Sequence, residues 1–137
     1  MNITLRAGER LYINGAVIRT DRKTTIELLN DATFLLETHV MQAADANTPL
    51  RQIYFVLQVM LMDPASAKTT SQLVRSLIDK SLDAFAAEDI KARLRNIVDL
   101  VSRGRYFEAM KAIRAMYALE RSEMFPSSAD MTSSNAA

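Results

Sequence analysis

The chain has 137 residues, 49% of them hydrophobic, with three glycines, three prolines and no cysteine. That length suits one ordinary domain or two very small units sharing a core, and the missing cysteine excludes a disulfide framework, a thiolate zinc site and thiol catalysis. The net charge of +1 excludes a whole-protein basic field able to grip duplex DNA.

The charge is spread unevenly. Residues 1–47 hold five Lys/Arg and six acids, residues 48–124 hold twelve and nine, and Asp130 is the last acid. Nucleic-acid contact must therefore come from local clusters or from an oligomer that doubles them.

In chain order, alternating patterns predict strands at about Ile3–Arg6, Leu11–Ile13, Ala16–Arg19, Thr25–Leu29 and Thr33–Val40. Turns fall at Gly8, at Asn14-Gly15, over Thr20–Thr24 and at Asn30-Asp31. Asn-Gly supplies the two positive-φ positions of a type I′ hairpin turn. Five such strands form one small antiparallel sheet with little core of its own. It must pack on the helices or on a second copy, so a homo-oligomer is expected.

Helical patterning starts at Thr48-Pro49, a capping residue followed by a proline at the first helical position. The first helix, Pro49 to Met62, is apolar on nearly every side and should be central. Arg51, in its first turn, is expected to serve structure more than RNA, with Asp45 or Glu37 as its partner. Asp63-Pro64 ends this helix. Further helices are expected at about Thr70–Phe85, Ala87–Ser102 (closed by Gly104) and Tyr106–Glu123. The fold class is α+β: a β-strand unit over residues 1–47, then a bundle of about four helices over residues 48–124. Residues 125–137 show no apolar period and are expected to be disordered. No signal peptide is visible at the N-terminus, and the longest apolar run, from Ile53 to Met62, is about half a bilayer span. The expected location is the cytoplasm, away from membranes.

Catalytic chemistry finds no support in the residues. His39 is the sole histidine, with Glu37 two positions away on the same expected strand face. Asp79/Asp83 and Glu88/Asp89 read as solvated acidic helix faces, since hard-cation sites usually gather more oxygens. Met60, Met62, Met110 and Met116 read as adaptable core packing. No phosphate loop, nucleophile elbow or cofactor motif is present, so no cofactor, metal or enzymatic activity is expected. Among the cations, Arg103 and Arg105 flank Gly104, where they suit a helix C-terminus. Arg6 and Arg10 flank the Gly8 turn, read as lying at the opposite end of the strands from Arg19, Arg22 and Lys23. With Tyr12 between them, these five cations are the candidate contacts for single-stranded RNA: the cations hold phosphates and the ring stacks a base.

Three strings carry a resemblance. They are Gly8-Glu9-Arg10-Leu11-Tyr12-Ile13-Asn14-Gly15-Ala16-Val17-Ile18, Ala46-Asn47-Thr48-Pro49-Leu50-Arg51-Gln52-Ile53-Tyr54-Phe55 through Asp63-Pro64, and Gly104-Arg105-Tyr106-Phe107-Glu108-Ala109-Met110-Lys111-Ala112. In this order the chain resembles the FlbT family of bacterial flagellin regulators from Met1 to about Glu120. The resemblance implies a post-transcriptional regulator acting on the 5′ untranslated leader of flagellin mRNA, with repression the inferred sign and activation open. It also implies a FlaF-type companion protein as functional counterpart. A second similarity, over Ile3 to Leu11 and the strands that follow, is to the carbon-storage-regulator family, whose chains interlock as RNA-binding dimers. This chain departs from that pattern at Leu5, where a second basic residue stands in the family, and at Val40, where an arginine does. Two function classes follow: an RNA-binding regulator, or a protein-binding chaperone or adaptor for flagellin or the companion. The basic set with Tyr12 favours the first, and the large Met-rich helical half favours the second.

Overall fold

The computed structural model describes residues 1–30 and 32–124. The disorder expected for residues 125–137 lies outside the described residues. Five short strands come first: β1 (Asn2–Leu5), β2 (Arg10–Ile13), β3 (Ala16–Arg19), β4 (Thr24–Glu27) and β5 (Phe34–Leu36). Every pairing is antiparallel and within the chain, but the strands make two sheets where one was expected. β1 pairs with β4, and β3–β2–β5 form the second sheet.

The split follows from where the apolar residues point. Ile3 and Leu5 of β1 close onto Leu11 of β2, ringed by Ile13, Ile26, Phe34 and Leu36. This gives the strand unit a small core between two layers. The opposite face of the three-stranded sheet turns Tyr12 and Leu35 to the helices. At the β2–β3 hairpin, Asn14 (φ 48°) and Gly15 (φ 81°) supply the positive φ values of a type I′ turn.

β5 stops at Leu36, four residues short of its expected end, because the chain coils into a 3₁₀ turn over Glu37–His39. The Glu37 carboxylate accepts the Arg10 N–H at 2.9 Å, which takes the place of a further ladder bond. His39 therefore sits on an exposed turn, and the strand face it was to share with Glu37 does not exist.

The first helix, α1 (Pro49–Met62), has its expected bounds and central place, with Leu50, Ile53 and Leu57 fully buried. Thr48 caps it by accepting the Arg51 N–H at 3.2 Å. Buried Gln58 donates to the Met41 carbonyl at 2.9 Å and accepts the Met41 N–H at 2.7 Å, pinning the connecting segment to α1. A 3₁₀ turn over Pro64–Ser66 runs straight into α2 (Ala67–Ala84), which starts three residues before the expected Thr70. The third helix, α3 (Glu88–Ser102), closes as a Schellman motif. Arg105 N–H donates to the Leu100 carbonyl at 2.9 Å and Gly104 N–H to Val101 at 3.0 Å, with Gly104 at φ 74°.

The expected last helix is two helices, α4 (Tyr106–Arg114) and α5 (Tyr117–Met124). Between them Met116 N–H reaches only three residues back, to the Ile113 carbonyl at 2.9 Å. The tightened turn points fully buried Met116 into the core and redirects α5 toward the start of α1. Met60 and Met110 are buried in the same core.

Candidate nucleic-acid interface

The turn geometry brings the five candidate cations together. Leu5 pairs with Thr24 and Arg10 with Arg19, and the Gly8 N–H donates to the Thr20 carbonyl at 2.8 Å. The Gly8 turn and the turn over residues 20–23 are thus side by side. Arg6, Arg10, Arg19, Arg22 and Lys23 all lie at one end of the strand unit, not at two, and all are exposed.

Arg10 and Arg19 are direct cross-strand partners. Like charges facing each other across a ladder destabilise the pair. Arg22 makes a surface ion pair with Asp21 at 3.6 Å. Arg6 and Lys23 line a cleft of about 390 Å³ with Glu9, Thr38 and His39. Tyr12 stands on the same sheet face as Arg10 and Arg19 but is half-buried against the helical core.

A second cationic group lies where the connecting segment meets α1, α4 and α5. The Arg51 guanidinium sits 4.4 Å from the centre of the Tyr117 ring, and Arg114 donates to the Tyr54 hydroxyl at 2.6 Å. Tyr54 and Tyr117 meet edge to face at 6.3 Å. These four side chains, with Thr38, His39, Asp45 and Asn47, line a cleft of about 600 Å³. The Tyr117 hydroxyl is buried with no hydrogen-bond partner among the described residues, and burial pushes its proton affinity well above the ordinary tyrosine value.

The acid expected beside Arg51 is not its partner. Neither Asp45 nor Glu37 forms an ion pair with it among the described residues; the Tyr117 ring holds the guanidinium instead. The helix N-terminus is compensated by Glu120 of α5, whose carboxylate accepts the Leu50 N–H at 2.8 Å. Its neighbour Glu123 accepts the N–H groups of Ala86 and Ala87, both at 2.8 Å, at the start of α3.

The remaining charges serve the surface. Arg103 pairs with Asp99 at 3.3 Å, and Arg105 pairs with Glu108. Glu88 and Asp89 pair with Lys91 and Arg93, while Asp79 and Asp83 are exposed on α2. Sequence reasoning missed Arg114, Tyr117, Gln58, Glu120 and Glu123. A glutamate pair three residues apart on a helix is too common to announce two capping roles, and no local pattern marks the others.

The profile of the family described as "Flagellar protein FlbT" matches residues 1–124. A protein of Chelativorans sp. (strain BNC1) is 52% identical over 118 residues, covering 86% of this chain and 81% of that protein. One of Rhizobium johnstonii is 52% identical over 120 residues, covering 88% and 80%. One of Agrobacterium fabrum is 45% identical over 132 residues, covering 96% and 87%. Each of the three is named "Probable flagellum biosynthesis repressor protein FlbT". No solved structure matches the chain.

Proposed function

The chain belongs to the FlbT family of flagellar proteins, and from that premise we propose that it represses flagellin synthesis by binding the 5′ untranslated leader of flagellin mRNA. The name its relatives carry supports a regulatory role in flagellum biosynthesis. The observation that carries the RNA reading is the convergence of Arg6, Arg10, Arg19, Arg22 and Lys23 at one end of the strand unit. Opposing Arg10 to Arg19 costs stability, and an anionic ligand between them turns that repulsion into attraction. Exposed cations at a strand end contact phosphates, while the free part of Tyr12 offers a stacking surface. In this division of labour residues 1–47 carry the strand-end RNA contacts and residues 48–124 hold them in place. The mechanism is occlusion of the leader in the cytoplasm and needs no catalytic group. Among the described residues, no helix is long and apolar enough to cross a membrane.

The test is a titration of purified protein with labelled leader RNA at two salt concentrations. Affinity should fall steeply with salt, and Arg19→Ala with Arg22→Ala should weaken binding and flatten the salt dependence. Intact binding by the double variant at physiological salt would remove this site.

A second reading is favoured by one observation. An apolar cleft of about 390 Å³ between β1, β5 and α4 is lined by Ile3, Phe34, Leu35, Phe107 and Met110. It suits a side chain of flagellin or of a FlaF-type companion, and the same titration with flagellin separates the two readings. A homo-oligomer fits the free edge of β3, where Val17 and Ile18 are exposed. Sedimentation at micromolar concentration tests it.

A further inference from the structure

The cleft that holds Arg6 and Lys23 is walled by Thr38 and His39, and the same two residues wall the larger cleft that holds Arg51 and Arg114. We propose that the two clefts form one continuous track for the sugar–phosphate backbone of single-stranded RNA. His39 stands at its midpoint, and Arg51 and Arg114 are its second pair of phosphate contacts. The inference rests on the RNA reading above and extends the site from the strand end across to the helices.

Two features of the larger cleft support it. Neither Arg51 nor Arg114 is ion-paired to a carboxylate among the described residues, so their charge is uncommitted. Both are already ordered on tyrosines, at 4.4 Å over Tyr117 for Arg51 and 2.6 Å to the Tyr54 hydroxyl for Arg114. A guanidinium fork fixed in this way loses less freedom when it takes a phosphate.

The charge along the track favours a polyanion. Arg51 and Arg114 outnumber Asp45 in one cleft, and Arg6 and Lys23 outnumber Glu9 in the other. The spacing of positive groups along a groove, with only Leu36, Val40 and Met41 as aliphatic walls, suits a strand of phosphates. An acidic protein segment would want apolar anchors as well; the apolar cleft beneath Phe107 adjoins the track through His39, Tyr54 and Arg114, which makes protection by flagellin the competing outcome.

The test uses the full chain, leader RNA and arginine footprinting with phenylglyoxal, read by mass spectrometry. RNA at saturation should suppress modification of Arg51, Arg114 and Arg6 together and leave Arg103 unchanged. This readout needs no variant and does not depend on a variant folding. In parallel, Arg51→Gln with Arg114→Gln should weaken leader binding about tenfold at physiological salt and flatten the log–log salt slope by about 1.4. Arg114→Lys, which keeps the charge, should recover part of the loss. If RNA protects Arg6 but leaves Arg51 and Arg114 fully reactive, the track is wrong and the strand-end site survives. If the wild type binds no leader even at low salt, both readings fall. Protection of Arg51 and Arg114 by flagellin and not by RNA assigns the cleft to a protein and overturns the track.

Discussion

The hydroxyl of Thr48 donates a 2.6 Å hydrogen bond to the carboxylate of Glu120, across 72 residues of sequence. The same carboxylate accepts the Leu50 N–H, so the first turn of α1 is closed by a charge from α5 as well as by its own cap. A buried carboxylate at that place meets the positive end of the helix dipole and two donors at once. With Glu123 at the start of α3, α5 ties two helix N-termini to one short element.

Glu120→Ala should therefore destabilise the fold by about 2–3 kcal/mol, because it strands buried donors as well as losing two charge-assisted bonds. Glu120→Gln, which keeps an acceptor, should lose roughly half as much. Denaturant unfolding monitored by circular dichroism measures both. Equal stability of wild type and Glu120→Ala would mean that the cap carries no net energy.

Replacing Arg10 and Arg19 together by glutamine should stabilise the free protein by about 0.2–1 kcal/mol, since it removes a facing pair of like charges. Leader affinity should fall in the same variant. Opposite signs for stability and binding mark a pair kept for a ligand, whereas loss of both would mark one kept for structure. Melting temperature and RNA titration on one preparation decide between them.

Gly15→Ala should lower stability by about 1–2 kcal/mol on backbone conformation alone, because a side chain is disfavoured at φ 81°. A Cβ there would also stand 3.3 Å from Cδ of Pro64. The hairpin tip meets the turn before α2 at this point, so weaker hydrogen-exchange protection should appear in β2 and β3 first.

Tyr117 sets a direction for alkaline pH. Burial is the main reason that its phenol keeps a proton above the ordinary value of 10.0, with Tyr54 adding to it and Arg51 and Arg114 opposing. The folded chain thus holds a proton that the unfolded chain releases. Stability from this group is whole below about pH 10 and falls as pH rises beyond it. Tyr117→Phe should make the decline from pH 9 to 11 shallower, as followed by unfolding at fixed denaturant; an unchanged profile rejects the assignment.

Local chemistry was legible where a few neighbouring residues decide the outcome. Asn14-Gly15 announces its turn, Thr48-Pro49 its helix start and Gly104 its helix stop, and each sits where expected. The division of five strands into two sheets was not legible. Alternation assigns faces within a strand, but whether β1 joins β2 or β4 is decided by Ile3 and Leu5 closing on Leu11. The break at Ala115-Met116 likewise has no glycine or proline to signal it; tertiary packing of Met116 and Tyr117 overrides an unbroken helical period. For the candidate site, the five cations could be read from the sequence, but their shared end could not, because it depends on that strand pairing. Arg114 and Tyr117 belong to a cleft built from segments far apart in the chain.

The reach from Glu120 back to Leu50 also sets a clock. Seventy residues separate the two, and a ribosome adding about 5–20 residues per second needs roughly 4–14 s to bridge them. Throughout that interval the nascent α1 leaves the Leu50 N–H without its carboxylate partner, in a helix that is apolar on nearly every side. The chain is thus exposed to the pace of its own synthesis: slow codons between these positions lengthen its vulnerable period, and a chaperone that shelters α1 shortens it.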